Sequence, residues 1–315
     1  MKNTPHIVGR FAPSPTGALH IGSLVTAVGS WLMARARHGE WLLRMDDLDT
    51  PRVVPGIADD IMRTLERFSL LWDRDVYWQS RHNNEYQLAF EKLQSLGIIY
   101  PCYCSRKEIT QSASPPEGDD DTLIYPGTCR EGSAKLGTAR SWRLKLDDSR
   151  IFFEDLCAGD VSQKIGESCG DFVVKRGDGT FAYQLAVVID DYHAGVNQVV
   201  RGADLLWSTP RQIFIQQQLG IEQPTYAHLP LVTNHDGTKL SKRDNLVSCQ
   251  LQNWKEKEGV LMEWILKSLG MELPRELHGA GCFELLQWGN DFLINSQSSL
   301  KILSKQARIF PVVSS

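Results

Sequence analysis

Three groups of residues have types and spacings that could do chemistry. The stretch Arg10-Phe11-Ala12-Pro13-Ser14-Pro15-Thr16-Gly17-Ala18-Leu19-His20-Ile21-Gly22-Ser23 joins a short apolar run at His6–Gly9 to a helical pattern from Leu24 to His38. Two prolines stiffen this loop, and Gly17 and Gly22 let the backbone come close to a ligand. The helix that follows turns unpaired N–H groups and the positive end of its dipole toward that ligand, which suits a phosphate. His20 stands at its mouth and can donate a hydrogen bond to a phosphate oxygen. The second group is Cys102, Cys104 and Cys129, three cysteines in one short window. Cys-x-Cys with a third Cys can cage a zinc ion, a staple that stabilises a small insertion with little core. The third is Asp46, Asp47 and Asp49, which end a buried run beginning at Trp41. Ligands of open α/β sheets bind at such strand ends.

The elements that must hold these groups follow from periodicity. Strand, helix and strand within the first fifty residues predict a βαβ unit and a parallel sheet, and Gly39 is placed to stop the first helix as a left-handed cap. No G-x-G-x-x-G follows the first strand, so a dinucleotide fingerprint is absent. Ile57–Phe68 and Tyr86–Leu96 carry helical apolar stripes. The polar stretch from Ser105 to Thr122 reads as a loop, and Trp142–Phe153 as strands returning from an insertion. Asp171–Tyr183 reads as a hairpin turning at Gly177-Asp178-Gly179, Tyr183–Asp191 as a helical turn ending at two acids, and Val199–Leu205 as a strand running into a turn. Pro210–Gly220 predicts a helix, Tyr226–Val232 a strand, and Leu261–Leu269 and Cys282–Trp288 further helices; the segment from Asn290 onward is poorly patterned.

A chain of 315 residues can bury a core shared by two or three lobes. Its net charge of −4 excludes a global basic footprint, so any contact with nucleic acid must use a local patch. No apolar run is long enough to span a membrane and no signal-peptide pattern opens the chain, which predicts a cytosolic protein. Seven unevenly spaced cysteines fit thiols or metal ligands better than a disulfide framework.

His20-Ile21-Gly22-Ser23 resembles the HIGH signature of class I aminoacyl-tRNA synthetases, with Ser23 in place of the second His, and the preceding Arg10–Gly17 string resembles the glutamyl branch of that class. Lys239-Leu240-Ser241-Lys242-Arg243 resembles the second signature, KMSKS. Two lysines on such a loop can close over a triphosphate and neutralise the charge that builds as pyrophosphate leaves. The resemblance implies a glutamate pocket of Arg10, Phe11, Ala12, Pro13, Ser14, Asp46, Tyr183 and Arg201. Asp46, where the family usually has Glu, would hold the α-ammonium group. It implies ATP contacts from His20, Gly22, Ser23 and Lys242, and catalysis by His20, Lys239 and Lys242. A side-chain carboxylate in a low-dielectric pocket calls for a guanidinium fork, and Arg10 and Arg201 could supply two; such a pocket would reject glutamine. The cysteine window resembles that of glutamyl-queuosine tRNA synthetases and some glutamyl-tRNA synthetases, in which a Tyr, here Tyr125, completes the zinc ligands Cys102, Cys104 and Cys129. Residue chemistry alone leaves Cys157 or a water open as the fourth ligand.

The implied fold is α/β: a Rossmann-like class I catalytic core from 1–98 and 170–235, a zinc-bearing, acceptor-binding-like insertion over 99–169, and a KMSKS-like loop with a short helical C-terminal region over 236–315. Only 72 residues follow Arg243 (315 − 243), which leaves no room for an anticodon-binding domain. The implied reaction is tRNA-independent activation of L-glutamate by ATP and Mg²⁺ and its transfer to the queuosine of tRNA(Asp), by an expected monomer with a structural Zn²⁺. Two other readings stay open: a glutamyl-tRNA synthetase fragment charging the tRNA 3′ end, and a non-catalytic RNA-binding paralogue.

Overall fold

Apolar and β-branched runs, broken by amphipathic helical stretches, set the order of elements. A computed structural model of the chain describes residues 6–112, 123–133, 135, 137–233, 251–254, 256–295 and 308–309. The first lobe runs β1 (Val8–Phe11), α1 (Ile21–Arg35), β2 (Glu40–Met45), α2 (Ile57–Arg67), β3 (Asp73–Trp78) and α3 (Asn83–Ser95). Then come β4 (Ile99–Cys102), α4 (Arg106–Ser112), β5 (Ser141–Leu144), the hairpin β6 (Arg150–Asp155) and β7 (Gly159–Lys164), the single turn α5 (Ile165–Ser168), and β8 (Phe172–Arg176). The chain returns through α6 (Tyr183–His193), β9 (Gln198–Gly202), α7 (Thr209–Leu219), β10 (Thr225–Leu229) and β11 (Val232–Thr233), and continues with α8 (Glu258–Ser268), α9 (Cys282–Asn295) and β12 (Arg308–Ile309), which pairs with β11.

Seven strands form one sheet in the order β3-β2-β1-β9-β10-β6-β7, parallel throughout except for the β6–β7 hairpin. The first five follow the 3-2-1-4-5 order of a doubly wound nucleotide-binding sheet, and the winding reverses between β1 and β9. A crevice opens at that reversal, beyond the carboxyl ends of the strands. Side chains alternate across the sheet. Trp41, Leu43 and Met45 enter the core shared with α1, α2, α8 and α9, whereas Val8, Leu42, Val199 and Tyr226 enter the core shared with α3, α6 and α7. By the same parity Arg10, Arg44, Arg201 and His228 all project on the α6 side.

Several boundaries depart from the sequence reading for physical reasons. Helix α1 starts three residues early, at Ile21, because the His20 ring caps it. Its left-handed exit falls on His38 (φ 54°), not on Gly39. Gly39 is demanded by space instead: a Cβ there would lie 2.5 Å from the Ile7 carbonyl oxygen. The hairpin β6–β7, assigned from sequence to the insertion, extends the main sheet, and β8 joins β4 and β5 in a separate three-stranded antiparallel sheet. The expected hairpin at Gly177-Asp178-Gly179 closes only through one bridge, Lys175 to Phe181. Residues Tyr183–His193 form a full helix, with Asp190 and Asp191 buried inside it, and α9 runs on to Asn295.

Candidate active site

The crevice has a volume of about 510 Å³. Its walls include Arg10, Phe11, Ala12, Pro13, Ser14, His20, Gly22, Ser23, Asp46, Tyr183 and Arg201, every described residue expected there for glutamate or ATP. Lys239 and Lys242 lie outside the described residues.

One wall is the mouth of α1. His20 is its N-cap, and its Nδ1 accepts from the Ser23 backbone N–H at 3.2 Å. Acceptance at Nδ1 puts the proton of a neutral ring on Nε2, the donor a phosphate oxygen would need. Gly22 packs against this ring: a Cβ there would lie 3.0 Å from His20 Cε1 and 3.1 Å from Nδ1. Gly22, expected at the ligand, lines the crevice and also leaves room for the His20 ring.

Behind the cleft is a buried cluster of charges. Arg10 donates to both oxygens of Asp191, from Nε at 3.1 Å and Nη2 at 3.4 Å, and to the Val200 carbonyl from Nη1 at 3.3 Å. Arg44 donates to Asp191 at 2.6 Å and to Asp46 at 2.7 Å. Asp190 lies 3.9 Å from Arg44 and accepts from Tyr77, Gln79 and Tyr86. Two guanidiniums therefore face three carboxyl groups. Burial pushes Asp191 up, but Arg10 and Arg44 more than offset it and hold it below the ordinary carboxylate range. Burial wins at Asp46, which is pushed up to about 6 against the pull of Arg44. Asp190 is also raised by burial, only partly offset by Arg44, Tyr86 and Gln79. Arg10, expected as a fork for the substrate, lines the crevice with its Nε–Nη2 edge turned to Asp191.

Arg201 is held differently. It is 5% exposed, and its register partner across β9 and β10 is His228. Its Nε donates to His228 Nε2 at 3.0 Å and its Nη2 to Thr209 Oγ1 at 2.8 Å. Nη1 is buried without a hydrogen-bond partner among the described residues. A buried donor left unmatched is costly, and this one belongs to a residue that lines the crevice.

In the insertion, the Sγ atoms of Cys102, Cys104 and Cys129 lie within 4.8 Å of one another. The Tyr125 hydroxyl lies 3.4 Å from Cys102 Sγ and 3.5 Å from Cys104 Sγ, and Cys104 and Cys129 are 3.6 Å apart. Tetrahedral zinc with Zn–S of about 2.3 Å and Zn–O of about 2.0 Å needs edges of about 3.8 Å and about 3.5 Å. The donor set fits. Arg143 stacks on the Tyr125 ring, 3.8 Å from its centroid. Cys157 stands apart from this group, beside Asp155.

Sequence reasoning missed Arg44, Asp190, Asp191, Asp155, Thr209 and His228. Signals for three of them exist. Tyr183, Asp190 and Asp191 are seven and eight apart, so one face of an apolar helix carries all three. His228 follows Tyr226 by two in a strand, which puts both on the side that Arg201 occupies.

The profile of the family "tRNA synthetases class I (E and Q), catalytic domain" matches residues 6–298. A protein of Geobacter sulfurreducens named "Glutamyl-Q tRNA(Asp) synthetase" is 52% identical over 285 residues, 90% of this chain and 91% of its own. Relatives of the same name from Thiobacillus denitrificans and Dechloromonas aromatica are 49% and 48% identical over 91% and 92% of this chain, and 93% and 94% of their own. Among solved structures, a glutamate tRNA ligase from Elizabethkingia meningosepticum in complex with its amino acid superposes with a TM-score of 0.77 at 24% identity, covering 98% of this chain and 68% of that one, a likeness of fold. The chain is a ligase that belongs to the class I tRNA synthetases of the glutamyl and glutaminyl type and, within them, to the glutamyl-Q tRNA(Asp) synthetase family.

Proposed function

We propose that the protein activates L-glutamate with ATP in the absence of tRNA and transfers the glutamyl group to queuosine in the anticodon loop of tRNA(Asp). The observation that carries the glutamate reading is the buried, unmatched Nη1 of Arg201 in a crevice whose other arginines are already paired with carboxylates. The substrate's side-chain carboxylate completes Arg201. Its α-ammonium group joins Asp46, bringing a positive charge to a cluster in which acids outnumber arginines. The α-carboxylate oxygen attacks the α-phosphorus of ATP, the bond from that phosphorus to the α,β-bridging oxygen breaks, and pyrophosphate leaves with the bonding electrons as the Mg²⁺ complex. His20 Nε2–H, Lys239 and Lys242 stabilise the charge on the pentavalent phosphorus. A hydroxyl of the acceptor then attacks the carbonyl carbon, and AMP leaves with the bonding electrons.

The queuosine acceptor rests on the names of relatives that match over most of both lengths. Zinc, held by Cys102, Cys104, Tyr125 and Cys129, cross-links the insertion and takes no part in the reaction. No described helix is long and apolar enough to cross a membrane; action in the cytosol, as a monomer, completes the reading.

The test is glutamate-dependent exchange of pyrophosphate into ATP without tRNA, followed by transfer of labelled glutamate to tRNA(Asp) with and without prior periodate oxidation of the queuosine diol. Exchange, with label lost after oxidation, is the expected result. No exchange under any condition overturns the enzymatic reading, and labelling of unmodified tRNA(Glu) overturns the acceptor.

A further inference from the structure

His228 lies behind the cleft wall, 3% exposed, and does not line the crevice. Its surroundings nevertheless define its protonation. The Nε of Arg201 can only donate, so His228 Nε2, 3.0 Å away, must carry a lone pair. The ring proton is then on Nδ1, which donates to Asp155 Oδ2 at 2.6 Å. Asp155 is itself fixed, its Oδ1 accepting from the backbone N–H groups of Cys157, Ala158 and His228 at 2.9, 2.8 and 3.1 Å. Thr209 Oγ1 takes the Nη2 of Arg201, so two of the three guanidinium nitrogens are tied and only Nη1 is left without a partner among the described residues, in a residue that lines the cleft.

The contrast with the other two arginines is chemical. Arg10 and Arg44 each touch a carboxylate directly. Arg201 has no carboxylate contact among the described residues, because a neutral imidazole stands between it and Asp155. The ring orients the guanidinium without neutralising it.

We propose that His228, held in one tautomer by Asp155, is a positioning and specificity residue for the substrate's acidic side chain: it aims Arg201 Nη1 into the cleft and leaves the charge of Arg201 unquenched. This rests on the glutamate reading above. The neutral acceptor is the point. A carboxylate in its place would pair with Arg201 and remove the preference for an anion, and an apolar residue would leave Nε buried and unmatched.

Two variants separate orientation from folding. In His228→Asn the amide is too short to reach Arg201 Nε. In His228→Gln a carbonyl oxygen can occupy the Nε2 position. Pyrophosphate exchange by the full chain is followed against glutamate, glutamine and ATP, with thermal melts of each protein. For H228N the glutamate KM is expected to rise about tenfold or more, the scale of a lost hydrogen bond to a charged group, with the ATP KM within about twofold. H228N is also expected to narrow the preference for glutamate over glutamine, and H228Q to restore most of both. A purely structural histidine would lower the melting temperature of both variants and leave the KM values and the preference where they were. Active wild-type protein with an H228N glutamate KM within about twofold, or H228Q as impaired as H228N, overturns the inference alone. Wild-type protein without glutamate-dependent exchange overturns the function reading and the inference with it. If H228N does not fold, Thr209→Val removes the other tie on Arg201: a raised glutamate KM with unchanged ATP KM supports the proposal, and no change sinks it.

Discussion

Adding one methyl group at Gly22 should separate catalysis from stability. Gly22 is the second residue of α1, and the Cβ of an alanine would sit 3.0 Å from Cε1 and 3.1 Å from Nδ1 of the His20 ring. Carbon atoms in ordinary contact are about 3.5–4.0 Å apart, so the ring must retreat by about 0.5 Å. Its bond to the Ser23 N–H is already 3.2 Å long and would pass the limit of a useful hydrogen bond. Losing such a cap costs about 0.5–2 kcal/mol. Replacing Gly by Ala in a helix returns up to about 1 kcal/mol, so the two effects largely cancel. A net change near 1 kcal/mol moves the melting temperature of a chain this size by only about 2–4 °C. Catalysis has no such compensation. A misplacement near 1 Å costs about 10²-fold, and loss of one donor to the developing charge about 10²–10³-fold, so a half-ångström retreat of Nε2 predicts a fall in exchange rate of about 10- to 100-fold. The assay is glutamate-dependent pyrophosphate exchange at saturating substrates beside a thermal melt. Gly29→Ala is the control, since its Cβ would strike Leu229 Cδ1 at 2.5 Å, far from His20: it should lower the melting temperature and keep the exchange rate of the folded fraction. A G22A protein that exchanges at the wild-type rate would show that the His20 ring either tolerates displacement or has no part in the chemistry.

Asp191→Asn removes the anion shared by Arg10 and Arg44. Breaking a buried pair costs about 3 kcal/mol, which predicts a melting temperature lower by about 6–12 °C and a raised glutamate KM; a melt within about 2 °C of wild type would contradict the charge cluster described here. Asp46, pushed up to about 6 by burial, gains a proton as pH falls through that value and loses its attraction for an ammonium group, so the glutamate KM should rise below pH 6 while Asp46→Asn stays high and flat. The sign for stability is the reverse: a carboxyl with a raised folded pKa contributes stability below its unfolded value near 3.9 and loses it as pH rises through about 6, so glutamate should raise the melting temperature more above pH 6 than below. Metal analysis should find about one zinc per chain, lost in Cys129→Ser together with hydrogen-exchange protection around β4 and β5; zinc-free protein with all three thiols alkylated in the native state would remove the metal from the account.

The site was legible where its chemistry is written in adjacent residues and illegible where it depends on pairing. Arg10 to Ser23 could be read as a phosphate-binding corner because loop, cap and helix mouth are contiguous. The partners of Arg10 and Arg44 could not: Asp191 stands 181 and 147 residues away from them. Two acids at the end of an apolar run look like a solvated terminus, and only the packing of α6 on the sheet turns Asp190 and Asp191 inward. The hairpin β6–β7 was misplaced for a related reason. Its alternation says strand, but alternation is silent about which sheet a strand joins, and the bridge from Tyr226 to Asp155 that puts it on the main sheet crosses about 70 residues of chain.

Sheet parity explains why the missed residues fall together. In β1, β2, β9 and β10 the arginines and His228 occupy positions of one parity, and their apolar neighbours two residues back, Val8, Leu42, Val199 and Tyr226, form the core under α6. At the carboxyl ends of the strands the apolar layer gives way to charge, and the acids of α6 meet it from above. Arg10 and Arg44, neutralised on the spot, give the crevice a rigid floor whose cost of burial is offset by Asp191. Arg201 sits one strand beyond the winding reversal, where β10 offers an imidazole in place of an acid, and so keeps its charge. Two arginines that sequence similarity treats as equal partners of a substrate carboxylate thus have different surroundings, one paired with a buried acid and the other held by a neutral ring and a hydroxyl.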